Sequence, residues 1–294
     1  MSTPAVVVEP QLDKAKPQKG ADLTVGRANW FVKVVILVLC ILWMIPAVGV
    51  ILTSFRTEDA AKSSGWWTVI TNFSSYGWTG SNYSDAWTNA DLGPAFLNSL
   101  AIALPATFIP ILIAAFAAYA FTFMEFKFRD TLFIIIVSML VVPNYVAFVP
   151  ILKMYTSLGL KGFPTVWLAH IGFGMSLAIY LFRTYMSTLP RSVIESAKID
   201  GASDYQTFYK LVLPMSIPVL ASFAIFQFLW VWNDLLVALV FLGPGENAPV
   251  TVATSQLMGQ RGEGWNLVTA AGLITAILPI IIFLALQRYF VRGL

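Results

Sequence analysis

Leu189-Pro-Arg-Ser-Val-Ile-Glu-Ser-Ala-Lys-Ile-Asp-Gly-Ala-Ser-Asp-Tyr-Gln-Thr-Phe-Tyr-Lys-Leu-Val-Leu-Pro214 is too structured to be a simple linker between two apolar runs. Ser192 followed by Glu195, and Ser203 followed by Gln206, each match a capping box, in which a hydroxyl and a carboxylate or amide satisfy the free N–H groups of a helix start. Asp200-Gly201 between them is a turn signal, because glycine takes a positive φ without a steric penalty. The stretch predicts a short helix, a tight turn and a second short helix ending at Pro214. Ile194, Ala197 and Ile199 on the first helix, and Tyr205, Phe208 and Leu211 on the second, give it an apolar face to bury. Arg191, Lys198 and Lys210 remain for solvent. Two readings are open: a rigid knuckle that transmits force to another protein, or an amphipathic helix lying on lipid headgroups.

The chain on either side is solvated mainly by lipid. Of its 294 residues 58% are hydrophobic and only 11% charged, with a mean hydropathy of +0.76, whereas soluble domains carry roughly 25% charged residues. A bilayer core takes about 20 mostly apolar residues per helix. Six stretches qualify, at 30–54, 96–123, 131–152, 164–185, 214–242 and 267–290. Pro46, Pro105, Pro110, Pro143, Pro150 and Pro279 fall within them, a pattern that suits bent helices around a cavity better than straight rods. The expected fold is therefore an all-α membrane protein of six transmembrane helices. Residues 1–28, rich in proline and polar residues, read as a disordered tail, and 29–294 as one transmembrane domain containing the loop 189–214. The first apolar run is long enough to span, so it reads as an uncleaved helix rather than a signal peptide. Basic residues set the direction. The tail and first-helix start carry Lys14, Lys16, Lys19, Arg27 and Lys33, and six spans put Lys127, Arg129, Arg183, Arg191, Lys198, Lys210, Arg288 and Arg292 on the same side. Only Arg56, Lys62, Lys153, Lys161 and Arg261 fall opposite. By the positive-inside rule both termini are cytoplasmic. Cys40 and His170 are the only residues of their kinds, which leaves no thiolate cluster and little scope for a metal site or histidine catalysis.

At the 189–214 loop the sequence resembles a known family. Glu195-Ser-Ala197, Gly201, and Leu211-Val-Leu-Pro214 follow the spacing of the EAA loop in binding-protein-dependent ABC importer permeases, departing by Ser196 for alanine and Leu211 for isoleucine. Asp200-Gly-Ala-Ser203, Trp232-Asn-Asp234, Asn98-Ser99, Gly264-Trp-Asn-Leu267 and the ending Arg288–Leu294 are similar to the carbohydrate branch, in particular the smaller maltose-type subunit. The resemblance runs from about residue 30 onward. It implies a type I importer moving a di- or oligosaccharide through the bacterial inner membrane, in which Glu195, Ala197, Asp200, Gly201, Leu211 and Pro214 couple the permease to an ATPase. The implied partners are a second permease subunit, two cytoplasmic ATPases that bind ATP and Mg2+, and an extracytoplasmic solute-binding protein, with lipid around the spans and no nucleic acid. The chain has no Gly-x-x-x-x-Gly-Lys-Ser/Thr phosphate loop, so it is expected to need no cofactor of its own and not to be an enzyme.

Candidate solute contacts come from polar residues inside the spans. Asn233 and Asp234 either line the pathway or stabilise a helix contact, since an intramembrane carboxylate faces a cavity or a partner. Asn144 follows the proline break at Pro143, where unwound backbone tends to line cavities, and Tyr145 adjoins it. His170 reads as a packing residue. Gly259, Gln260, Arg261, Gly262 and Glu263 form either a flexible tip that enters a binding protein's cleft or a plain solvated hairpin. The outer loop 55–95, with Trp66, Trp67, Tyr76, Trp78, Tyr83 and Trp87, is an interfacial aromatic belt or a platform for sugars or a partner. Asn72 and Asn82 begin tripeptides of glycosylation type. A rival class, a secondary transporter using Asp234 to carry protons, lacks the internal repeat such proteins show and gives the loop no task.

Overall fold

A computed structural model describes residues 29–89, 91–259 and 263–293; the expected tail at 1–28 lies outside them. The chain divides into two compact units at Ala47/Val48. In the first, the described residues belong to helix α1 (Trp30–Ser54), and every one of them is exposed. An apolar helix that satisfies its own backbone and, apart from Lys33 near its start, offers an almost wholly apolar surface has the character of a lipid-solvated span.

The second unit opens with the end of α1 and a small outer lobe made of α2 (Glu58–Ser63), a 3-10 turn (Trp66–Ile70) and α3 (Ser81–Asn89). Arg56, 2% exposed, organises it. Its guanidinium donates to the Ser64 carbonyl (2.7 Å) and hydroxyl (2.6 Å) and lies 4.4 Å over the Tyr76 ring. Tyr76 in turn donates to the Trp66 carbonyl at 2.8 Å. Burial lifts the Tyr76 phenol above its usual range, and the Arg56 charge opposes this. The Asn82 amide is buried and donates to the Ser54 and Arg56 carbonyls, while its oxygen accepts from Asn266. Asn82 is thus a structural bolt, not an exposed glycan acceptor. Among the outer aromatics Tyr76 belongs to the lobe's core, whereas Trp67, Phe73, Trp78 and Trp87 stay exposed.

The core is a three-helix stack in which α4 (Leu92–Phe123) runs along α7 (Phe163–Met186) and α11 (Ile217–Trp232). Small buried residues on α4 (Ala95, Ser99, Ala103, Ala106, Ala114, Ala118) allow the backbones to approach, as lipid-embedded helices require in place of a hydrophobic drive. Gln227, wholly buried at the junction, donates to the carbonyls of Ala106 (3.2 Å) and His170 (3.4 Å). The final helix, α14 (Trp265–Gly293), closes against α11, where Trp232 donates to the Thr275 carbonyl.

Two of the six expected spans are not continuous rods. The stretch expected at 131–152 is α5 (Arg129–Ser138), a 3-10 turn (Met139–Val141) and α6 (Asn144–Ser157), bent by 104°. Proline cannot donate to the helix ladder and restricts the residue before it to extended backbone; Val142 is extended, at ψ 121°, and Pro143 starts the new helix. The stretch expected at 214–242 bends by 69° between the segment Asp204–Met215 and α11, then stops at Trp232. Four described helices (α1, α4, α7 and α14) are long and apolar enough to cross a bilayer, or up to six spans if each bent pair counts as one.

Candidate functional site

The 189–214 loop folds as α8 (Arg191–Ile199), a turn, α9 (Asp204–Thr207), a π-helical turn (Phe208–Val212) and α10 (Leu213–Met215). The helix–turn–helix expectation holds, but one cap differs. Pro190 occupies the N-cap of α8, so Ser192 falls inside the first turn and the Ser192–Glu195 box does not form. The second box does: Gln206 N–H donates to Ser203 Oγ (3.3 Å), and Ser203 N–H donates to Gln206 Oε1 (2.9 Å). Between them Gly201 sits at φ +81°. Its N–H donates to Lys198 O, and that of Ala202 to Ala197 O, the paired bonds of a Schellman stop. Ala197, Asp200 and Gly201 therefore share one task, ending α8 and aiming α9.

Ile194, Phe208 and Val212 anchor the knuckle to Phe182 and Met186 of α7 and Phe223 of α11. Leu211 is half-buried, and Pro214 opens α10 next to the bend. Two expected core residues point away: Ile199 is 85% exposed, and Tyr205 is also exposed. Glu195 is exposed beside Arg129, Arg191 and Lys198 around a shallow cavity of about 310 Å3. The loop thus presents an apolar and charged face on a frame whose turn and second helix start are closed by backbone and capping hydrogen bonds.

The intramembrane polar residues separate into two groups. Asp234 Oδ2 accepts from the N–H groups of Val237 (2.8 Å) and Ala238 (3.3 Å), starting α12 (Leu236–Phe241). The same oxygen lies 3.9 Å from Nε2 of the buried His170, and the Asp234 carbonyl accepts from Thr251 of α13 (Val250–Ser255). Ser99 accepts from Val250 N–H, and Asn98 donates to the carbonyls of Glu246 and Ala248. Asn98 and Ser99 therefore clamp the segment 246–250 onto α4, and Asp234 ties α12 to α13. Asn233, exposed, folds its amide back onto Leu229 O. Asp234 therefore caps the start of α12.

Asn144 belongs elsewhere, on the wall of a cavity of about 550 Å3 in the angle of the α5–α6 bend, walled also by α7 and α11. Tyr145 turns outward and its ring rests against Phe148. The cavity also recruits Tyr155, Gly172, Phe173, Ser176 and Trp230. Ser176 and Trp230 carried no sequence signal, since a serine or tryptophan on an apolar helix has no preferred face until the neighbouring helix bends. Of the expected tip, Gly259 N–H donates to Glu263 O; Gln260, Arg261 and Gly262 lie outside the described residues. The nearby Lys62 has its pKa raised, first by its hydrogen bond to Glu58 and more weakly by Glu263.

Residues 110–294 match the family described as the binding-protein-dependent transport system inner membrane component. The chain belongs to this family. It is 50% identical over 271 residues to the osmoprotective compounds uptake permease protein GgtD of Synechocystis, an alignment covering 90% of this chain and 89% of that one. It is 53% identical over 220 residues to the alpha-glucoside transport system permease protein AglG of Rhizobium meliloti, covering 72% and 58%. The fold is that of a bacterial ABC transporter that imports the acidic polysaccharide alginate: the two superpose with a TM-score of 0.73 at 18% identity, over 89% of this chain and 96% of the other. As a member of this family, the chain is a membrane permease component of a sugar transport system.

Proposed function

We propose that this permease forms half of the membrane channel of an importer for a neutral glycoside, with a second permease subunit as the other half. Two cytoplasmic ATPases bind ATP and Mg2+ and drive it, and an extracytoplasmic binding protein delivers the cargo. The observation that carries the coupling half of this reading is the knuckle. An exposed Ile199 and Tyr205, with Glu195, stand on a frame locked by a Schellman stop and a capping box, which is what a docking element under load requires. In this reading both termini are cytoplasmic and 191–211 seats in a groove of the ATPase. The substrate half rests on the alpha-glucoside relative and on the cavity wall, whose described lining residues include no aspartate, glutamate, lysine or arginine. A proton-carrying role for Asp234 fits less well, because its carboxylate oxygen is engaged as a helix cap.

The test is reconstitution. The purified chain alone is expected to hydrolyse no ATP; with the second permease, the ATPase and the loaded binding protein in proteoliposomes, ATP-dependent uptake of maltose or sucrose should appear. Uptake driven by a proton gradient without ATP would overturn the reading.

A further inference from the structure

We infer that the cavity at the α5–α6 bend is a glycosyl subsite contributed by this subunit itself, with Tyr155, Ser176 and Asn144 binding sugar hydroxyls. The inference rests on the importer reading and goes beyond it, since a permease half can serve as a wall without touching its cargo. Tyr155 and Ser176 are each 8% exposed. Neither has a hydrogen-bond partner among the described residues, and nor does the Asn144 side chain. This departs from the habit of the fold. Ser138, Thr156 and Thr184 all turn their hydroxyls back to a carbonyl four residues earlier, the usual way a hydroxyl is satisfied in an apolar helix. Ser176 does not, although its helix offers the same carbonyl. Buried polar residues are rarely left unpaired; Tyr155 and Ser176 are, and the half-buried Asn144 joins them on the wall of one cavity.

The size and chemistry agree on the ligand. At about 550 Å3 the cavity lies within the range of small-molecule sites. Trp230 and Phe173 offer apolar faces of the kind that pack on the C–H face of a pyranose, and the hydroxyls and carboxamide supply a few directed polar contacts. No charged group is available for an acidic sugar or an ammonium ion among the described lining residues. The broken backbone at Met139–Pro143 marks the site as broken helices do in other transporters. A lipid acyl chain would fill the apolar part but leave all three polar groups without a partner.

Gly172 supplies the decisive variant. It lines the cavity, and a Cβ built there meets nothing within 4 Å, so Gly172→Leu enters open space without displacing the fold. The complete reconstituted importer is assayed with radiolabelled maltose and sucrose, alongside complex assembly and binding-protein-stimulated ATP hydrolysis. Gly172→Leu is expected to cut sugar uptake more than about 10-fold while assembly and hydrolysis persist. Tyr155→Phe and Ser176→Ala, each deleting one hydrogen bond, should lower uptake per ATP by about 2- to 10-fold and shift the maltose-to-sucrose ratio, which a packing role would not do. Unchanged uptake and ratio in Gly172→Leu and in the Tyr155→Phe/Ser176→Ala pair would make the cavity a lipid crevice and leave the importer reading intact. Failure of the unsubstituted complex to take up either sugar would remove both. Should Gly172→Leu not assemble, the paired variant decides alone.

Discussion

Asp234 lies just beyond the end of α11, turned into the protein, and its carboxylate is well provided for. Two backbone N–H groups point at one oxygen, and a buried imidazole stands 3.9 Å away. Asp234→Asn keeps an acceptor oxygen for Val237 N–H and should transport nearly as well as the parent. Asp234→Ala loses the cap, worth about 1 kcal/mol, and should loosen α12 and slow ATP-driven uptake in proteoliposomes. Equal and complete loss in both variants would point instead to a proton carrier. The cap was partly legible: an aspartate three residues before Val237 is a helix-start pattern, concealed because the run from Pro214 to Leu242 looks like one span. Gln227 was less legible, since nothing local says that its amide meets two other helices. Gly174 makes room for it, and a Cβ there would lie 2.7 Å from Gln227 Oε1. Gly174→Ala should cost about 1–3 kcal/mol by overpacking, read as a lower melting temperature of the detergent-solubilised permease.

Among the elements, the knuckle was the most legible and the bent spans the least. Its turn and second cap follow from residues three or four apart, so Gly201 and Ser203–Gln206 could be read without knowing the rest of the molecule. The misplaced first cap has the same local origin: Ser192 and Glu195 have the right spacing, but Pro190 begins the helix earlier. Hydropathy measures length and not direction, so 131–152 reads as one span although the chain turns by 104° within it. Pro143 announced a break and Asn144 a cavity wall beside it, but neither fixed the angle that decides which other residues line that cavity. Gly201→Val forces a β-branched residue to φ +81°, a strain of about 1–3 kcal/mol that should misdirect α9. Membrane insertion should survive while the ATPase no longer co-purifies or no longer responds to the loaded binding protein; full coupling in that variant would show that the Schellman stop is dispensable.

For the molecule entire, the outer end is held by polar clamps and the opposite end by an apolar cluster that reaches into the knuckle. Removal of residues 260–263 should therefore leave assembly and basal ATP hydrolysis intact, because the clamps at Asn98, Ser99 and Asp234 lie elsewhere. We expect it to weaken the stimulation given by the loaded binding protein, measured as the ratio of hydrolysis with and without it. A ratio equal to the parent's would reduce the tip to a plain hairpin. The Asn82 bolt bears on biogenesis. Its amide secures the end of α1, but its oxygen waits for Asn266, 184 residues later in synthesis. A ribosome-bound chain that has already inserted its early helices still carries an outer lobe with a loose seam, which only the arrival of the last helix can close. Premature stop products should accordingly display that lobe in a protease-sensitive form, giving the cell's membrane proteases a built-in sign that translation did not finish.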